Sequence, residues 1–169
     1  MSTVKSFIVV EDRLAEMFDM LPTIKDKFKP KFGYGDKKEL NAFLKNRKRT
    51  SPYPLIWLLY PYKEVHNKRN VSIKNLDLVI AVQTNSSMEN SERIIKTYKG
   101  ILIPLLDDIN SLFLRANILN VNKEYEVEKH PNYSDSEEGN SSAGTLIWDA
   151  IKLTYDITIT DDCLRDIKF

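Results

Sequence analysis

Five glycines in 169 residues is a low count. Gly-rich phosphate loops are hard to build from so few. The nearest approach, Gly33-Tyr34-Gly35, lacks the third glycine of a dinucleotide fingerprint and follows no convincing strand. The single cysteine, Cys163, excludes an internal disulfide and suits a reducing compartment. Only two histidines occur, His66 and His130. Neither has a second metal ligand at close spacing, and both sit in or beside polar turns, so both read as solvated side chains.

An excess of one charge is also missing. The net charge is +1, whereas a general nucleic-acid binder would be clearly basic. The longest apolar stretches, Leu55–Tyr60 and Ile101–Leu106, are too short to span a bilayer. The N-terminal apolar run ends at Val10 and acids follow at once, unlike a signal peptide. These features predict a soluble, intracellular protein with no membrane partner. Asn-x-Ser triplets at Asn70, Asn85, Asn132 and Asn140 then carry no glycosylation meaning.

No catalytic constellation emerges. Cys163 has no nearby sequence partner and reads as a buried or idle thiol. Asp107 and Asp108 point about 100° apart on a helix and do not form a shared acid–base site alone. Asp161–Asp162 is a second such acid pair. The expectation is a non-enzyme with no cofactor and no metal.

What the chain does have is apolar periodicity, with a hydrophobic fraction of 42% and enough length for one domain over residues 1–169. Ile8, Leu14, Met17, Phe18 and Leu21 predict a helix over 8–21, stopped by Pro22. Phe28, Phe32 and Tyr34 alternate around Pro30, which demotes 28–36 to an edge strand or extended loop. A short helix follows, with Leu40, Phe43 and Leu44 inward. The run 53–62, "YPLIWLLYPY", reads as a strand buried on both faces. Residues 71–84 alternate through Ile73, Leu76, Leu78, Ile80 and Val82, with a register break near Asn75, and should pair with 53–62. Ser87 or Ser91 can cap a long helix over 91–117. Its inward face would carry Ile94, Tyr98, Ile101, Leu102, Leu105, Ile109, Leu112, Phe113 and Ala116. Pro104 should kink it after Gly100. Residues 123–130 alternate again, and a polar, acidic segment at 131–144 reads as a mobile loop.

The last strand is the longest. From Thr145 to Thr160, apolar residues occupy the odd positions and only Asp149 breaks the set. Fourteen residues span roughly 45 Å, against a radius of gyration near 15 Å for a compact chain of this length. The strand is therefore expected to reach past the domain. Tyr155, Ile157 and Ile159 would form an assembly arm covered by a neighbouring copy. The alternative is a strand broken by a bulge near Asp149 and held wholly inside one domain. The predicted class is α+β: an antiparallel sheet with a long C-terminal hairpin, packed against one long helix and one or two shorter ones.

This order of elements resembles the tail-terminator and neck-ring (head–tail connector) proteins of tailed bacteriophages. The resemblance runs over most of residues 8–160. It includes the N-terminal helix, "YPLIWLLYP", "LDLVIAVQT", "SERIIKTYKGILIPLLDDINSLF" and the hairpin ending in "IWDAIKLTYDITI". Abundant Asn, Lys and Ile would suit an AT-rich host and crAss-like phages. The resemblance implies a virion protein of the neck or tail, assembled in the host cytoplasm. It would form a homo-oligomeric ring beside portal, neck and tail proteins, and DNA would pass through without specific binding. In such a ring Glu124, Glu126 and Glu128 are candidates for a channel-facing acidic row, because carboxylates do not grip phosphate. The basic cluster Lys45, Arg47, Lys48 and Arg49 is a candidate partner contact. The rival reading is an intracellular adaptor that recruits a peptide along an exposed sheet edge.

Overall fold

A computed structural model describes residues 7–46, 54–85, 87–131, 133 and 147–169, with the side chains of Lys45 and Asn46 outside that set. Helix α1 (Val10–Asp19) places Val10, Leu14, Met17 and Phe18 on one buried face, as the spacing predicts. Glu11 and Asp12 sit in its first turn, where the helix dipole favours acids. Strand β1 (Lys31–Gly35) follows Pro30 and lies at a sheet edge. Helix α2 (Lys37–Asn46) opens on a reciprocal cap. The Glu39 N–H donates to Asp36 Oδ1 at 2.8 Å, and the Asp36 N–H donates to Glu39 Oε2 at 2.9 Å.

Strand β2 (Leu55–Leu59) is buried on both faces, in line with its unbroken apolar run. Strands β3 (Glu64–His66) and β4 (Asn70–Thr84) come next. The register of β4 shifts between Ile73 and Leu76, where Asn75 adopts φ +55°. This is the break expected near Asn75. It lets Val71 and Ile73, then Leu76, Leu78, Ile80 and Val82, all enter one core.

The long helix has three parts: α-helical Asn90–Arg93, π-helical Ile94–Leu102 and α-helical Ile103–Arg115. Pro104 has no N–H to give the Gly100 carbonyl. The irregularity expected there takes the form of the π stretch, in which the Ile103 N–H bonds the Tyr98 carbonyl. Thr97 within this stretch and Arg93 just before it are buried, while Ile94, expected inward, is exposed.

Strands β5 (Leu119–Val121), β6 (Glu126–His130) and β7 (Ile147–Thr160) complete a seven-stranded sheet. Its main order is β1-β2-β4-β7-β5; β3 also pairs with β4, and β6 with β7. The predicted α+β class and C-terminal hairpin are present. The sheet is mixed rather than wholly antiparallel, because β1 runs parallel to β2. One sheet face packs on α1 and the long helix. The upper half of the other face packs Leu55, Trp57, Val79, Ala81, Trp148 and Ala150 against Leu40 and Leu44 of α2.

Strand β7 does not overhang. It pairs with β4 over its whole length, from Ile147 to Thr160. On its other side lie β5, opposite 157–159, and β6, opposite 150–154. Tyr155, Ile157 and Ile159 are buried in this chain's own core. That corrects their reading as an assembly arm: the chain's own core packs around them, and β7 is a central strand. The strand is also unbroken at Asp149; the irregularity belongs to its partner β4. The segment 134–146, and with it most of the expected mobile loop, lies outside the described residues.

Candidate functional site: a polar sheet face and its edge strands

Beyond the patch covered by α2, the second sheet face is polar. Successive even residues of β7 point there and meet partners on β4. Thr154 Oγ1 donates to Asp77 Oδ1 at 2.5 Å, and Lys152 Nζ lies 3.0 Å from Asp77 Oδ2. Ser72 Oγ and Thr158 Oγ1 are 3.0 Å apart. The backbone N–H of Asn75 donates to Asp156 Oδ1 at 2.9 Å, tying the β4 bulge to β7. Burial pushes the Lys152 ammonium toward a lower pKa, but the Asp77 hydrogen bond and charge, helped by Glu128, leave it above its ordinary value.

Glu126 and Glu128 stand on β6, all of whose side chains are exposed or half-buried. In the hairpin register they lie opposite Thr154 and Lys152, on the open face. Glu128 also contacts His130 at 3.1 Å. Glu124 falls outside β6, yet it lines a shallow depression with Ser72, Lys74, Asp156 and Thr158. Glu126 and Glu128 are thus on one side of the sheet, with Asp77 and Asp156, and Glu124 stands before the strand. Lys45 ends near the C-terminus of α2 with its side chain outside the described residues, and Arg47, Lys48 and Arg49 lie outside them altogether.

At the β1 edge, Trp57 packs over both glycines. A Cβ on Gly33 would stand 2.7 Å from the indole, and Gly35 has φ +149°. The indole N–H donates to the Gly35 carbonyl at 3.2 Å. The Gly-Tyr-Gly run is therefore a seat for Trp57. On the opposite face Phe32, Tyr34, Tyr60 and Tyr62 form a chain of ring contacts, with centroids 5.5–6.2 Å apart. The chain ends at Glu11, whose Oε1 accepts from both Tyr60 and Tyr62 at 2.5 Å. Burial raises the Glu11 pKa, but the two phenol hydrogen bonds outweigh it and the net shift is downward. Burial and the same bonds push both tyrosines well up.

The most constrained polar group escaped sequence reasoning. Asp149 is fully buried and accepts from Arg93 Nη1 at 2.7 Å. Arg93 also donates from Nε to the Met88 carbonyl and from Nη2 to the Asn85 carbonyl. Thr97 Oγ1 lies 2.6 Å from the Arg93 carbonyl and 2.8 Å from Asp149 Oδ2; its one proton serves one acceptor at a time. Two signals were in the sequence: an acid on an apolar strand face, and a cation beside the apolar stripe of a helix. This set clamps the helix start and the preceding loop to β7.

The remaining candidates are ordinary. His66 contacts Glu64 at 2.5 Å and stacks on Phe7. Cys163 is exposed. Asp108 has its pKa raised by burial and then by Asp107. Among the described residues no group of His, Cys, Asp and Glu could hold a metal ion, and no helix is long and apolar enough to cross a membrane. No protein-family model matches this chain, and no curated protein matches it.

Proposed function

We propose that the chain is a structural subunit of a ring in the neck or tail of a tailed phage, joining head to tail and leaving a passage for DNA. The observation that carries this reading is the division of the sheet. Among the described residues, one face is covered by α1 and the long helix, and much of the other is polar and carries no covering helix. On that side the carboxylates Asp77, Glu124, Glu126, Glu128 and Asp156 outnumber Lys31, Lys74, Lys123 and Lys152. Asp77 further occupies Lys152. A wall of this kind does not gather phosphates by counterion release, so DNA can slide past it. The architecture also suits the resemblance in element order. Ring neighbours would be further copies of this chain and the adjoining portal, neck or tail proteins.

Mass spectrometry of purified particles from the virus encoding the chain tests the reading. The expected result is the protein in multiple copies per particle. Its absence from particles overturns the assignment. A map with Glu124, Glu126 and Glu128 on the outside of a ring removes their channel role.

The adaptor reading has one observation in its favour. A groove of about 440 Å³ lies beside α1 and the edge strand β1, lined by Ala15, Phe18, Lys29, Pro30 and Phe32. An extended peptide could add there as a strand. Recovery of a stoichiometric cellular partner, with no protein in particles, would favour it.

A further inference from the structure

Four strands have one unpaired side each among the described residues: β1 and β3 at one edge of the sheet, β5 and β6 at the other, with β1 and β6 the longer of each pair. Both are five residues long. Their positions match across the sheet. Lys31 is level with Leu55, Leu55 with Ala81, Ala81 with Ala150, and Ala150 with His130. At the lower end, Tyr34 follows the same path through Leu58, Leu78 and Leu153 to Val127. The two edges are therefore at one height. They also run in opposite directions, since β1 is parallel to β2 and each later step to β6 is antiparallel.

We propose that copies of this chain join edge to edge, with β6 of one copy pairing antiparallel to β1 of the next. The inference rests on the reading that copies assemble into a ring, and it names the interface. Because the edges are level, repeated pairing adds no step along the strand direction. Such a head-to-tail contact closes into a ring when its rotation divides a full turn.

Side chains fit the pairing. In the level register Tyr34 faces Val127 on the helix side of the sheet, and these are 53% and 43% exposed in the single chain. Phe32 faces Lys129. On the other side Gly33 and Gly35 face Glu128 and Glu126, and Lys31 faces His130 with Glu128 as its diagonal neighbour. No like charges stand opposite one another. Two β6 edges cannot match each other in this way. An antiparallel pair centred on Val127 sets Glu126 against Glu128 twice, and one centred on Glu128 sets that residue against itself. The acids that blunt β6 toward its own kind are the ones that suit an edge carrying glycines and a lysine.

Cysteine cross-linking tests the contact in purified protein. Tyr34→Cys and Val127→Cys are made separately and together on a Cys163→Ser background, with circular dichroism confirming the fold. Under mild oxidation the mixture of single variants should give a covalent dimer. Each single variant alone should stay monomeric on a denaturing gel, and the double variant should give a ladder. As a second readout by sedimentation, Glu128→Lys should weaken association at least tenfold, and adding Lys31→Glu should restore it. Dimers from either single variant alone, no dimer from the folded mixture, or a monomer at every attainable concentration would each overturn the pairing. Particle composition is read separately, so the interface and the virion assignment can fail independently.

Discussion

Arg93 and Asp149 meet inside the protein, with Nη1 2.7 Å from Oδ1 and side chains only 4% and 0% exposed. They are 56 residues apart in sequence, and their bond fastens the long helix to the central strand. Breaking such a pair from one side leaves a buried charge without its counterion. Asp149→Ala should therefore cost about 3–5 kcal/mol. Replacing both partners, as Arg93→Met with Asp149→Leu, should recover much of that loss. Chemical denaturation of the parent and the two variants checks both outcomes.

Leu105 is fully buried where the α-helical part of the long helix meets the sheet. Leu105→Ala should destabilise by about 2–5 kcal/mol through lost burial and a residual cavity. Ile94→Ala should cost well under that, since Ile94 is exposed although the helical period groups it with Leu105. Denaturant midpoints for the pair distinguish the observed face from the periodic one.

Asn75 holds φ +55° at the bulge that resets β4. An alanine there keeps the backbone bond to Asp156 but must adopt a left-handed conformation, at about 1–2 kcal/mol. Asn75→Gly should be close to neutral. The difference between the two melting temperatures reads out the strain.

Glu11 has a folded pKa below its ordinary value of 4.5: burial opposes this, and hydrogen bonds from Tyr60 and Tyr62 prevail. A depressed carboxylate binds its proton more weakly in the folded state. Its contribution is thus complete above the unfolded pKa and is lost as pH falls through the lower folded value. Urea midpoints between pH 7 and pH 3 should fall further for the parent than for Glu11→Gln. Equal slopes would mean that the phenol bonds do not stabilise the carboxylate.

Much of the fold was legible locally. The unbroken run Leu55–Leu59 announced a strand buried on both sides, and it lies between two apolar clusters. The slip in alternation at Asn75 announced the bulge, because one extra residue must turn every later side chain over. The paired strands 126–130 and 147–160 followed from their alternation. Glu126 and Glu128 were placed on one side by the same period.

Tertiary structure decided what covers each face. Periodicity reports that Tyr155, Ile157 and Ile159 must be hidden; it does not report by what. The chain's own core hides them, so an expected contact between copies became part of the interior. Periodicity also assumes a fixed helical pitch. Where hydrogen bonds span five residues instead of four, the buried positions are Arg93 and Thr97 rather than Ile94, and the long-range meeting with Asp149 supplies the counter-charge for the buried arginine. The parallel placement of β1, and with it the level placement of β1 and β6 at opposite edges, depends on contacts between segments far apart in sequence. Alternation within a strand determines which side chains share a face; strand order and direction are set by which distant segments bury one another.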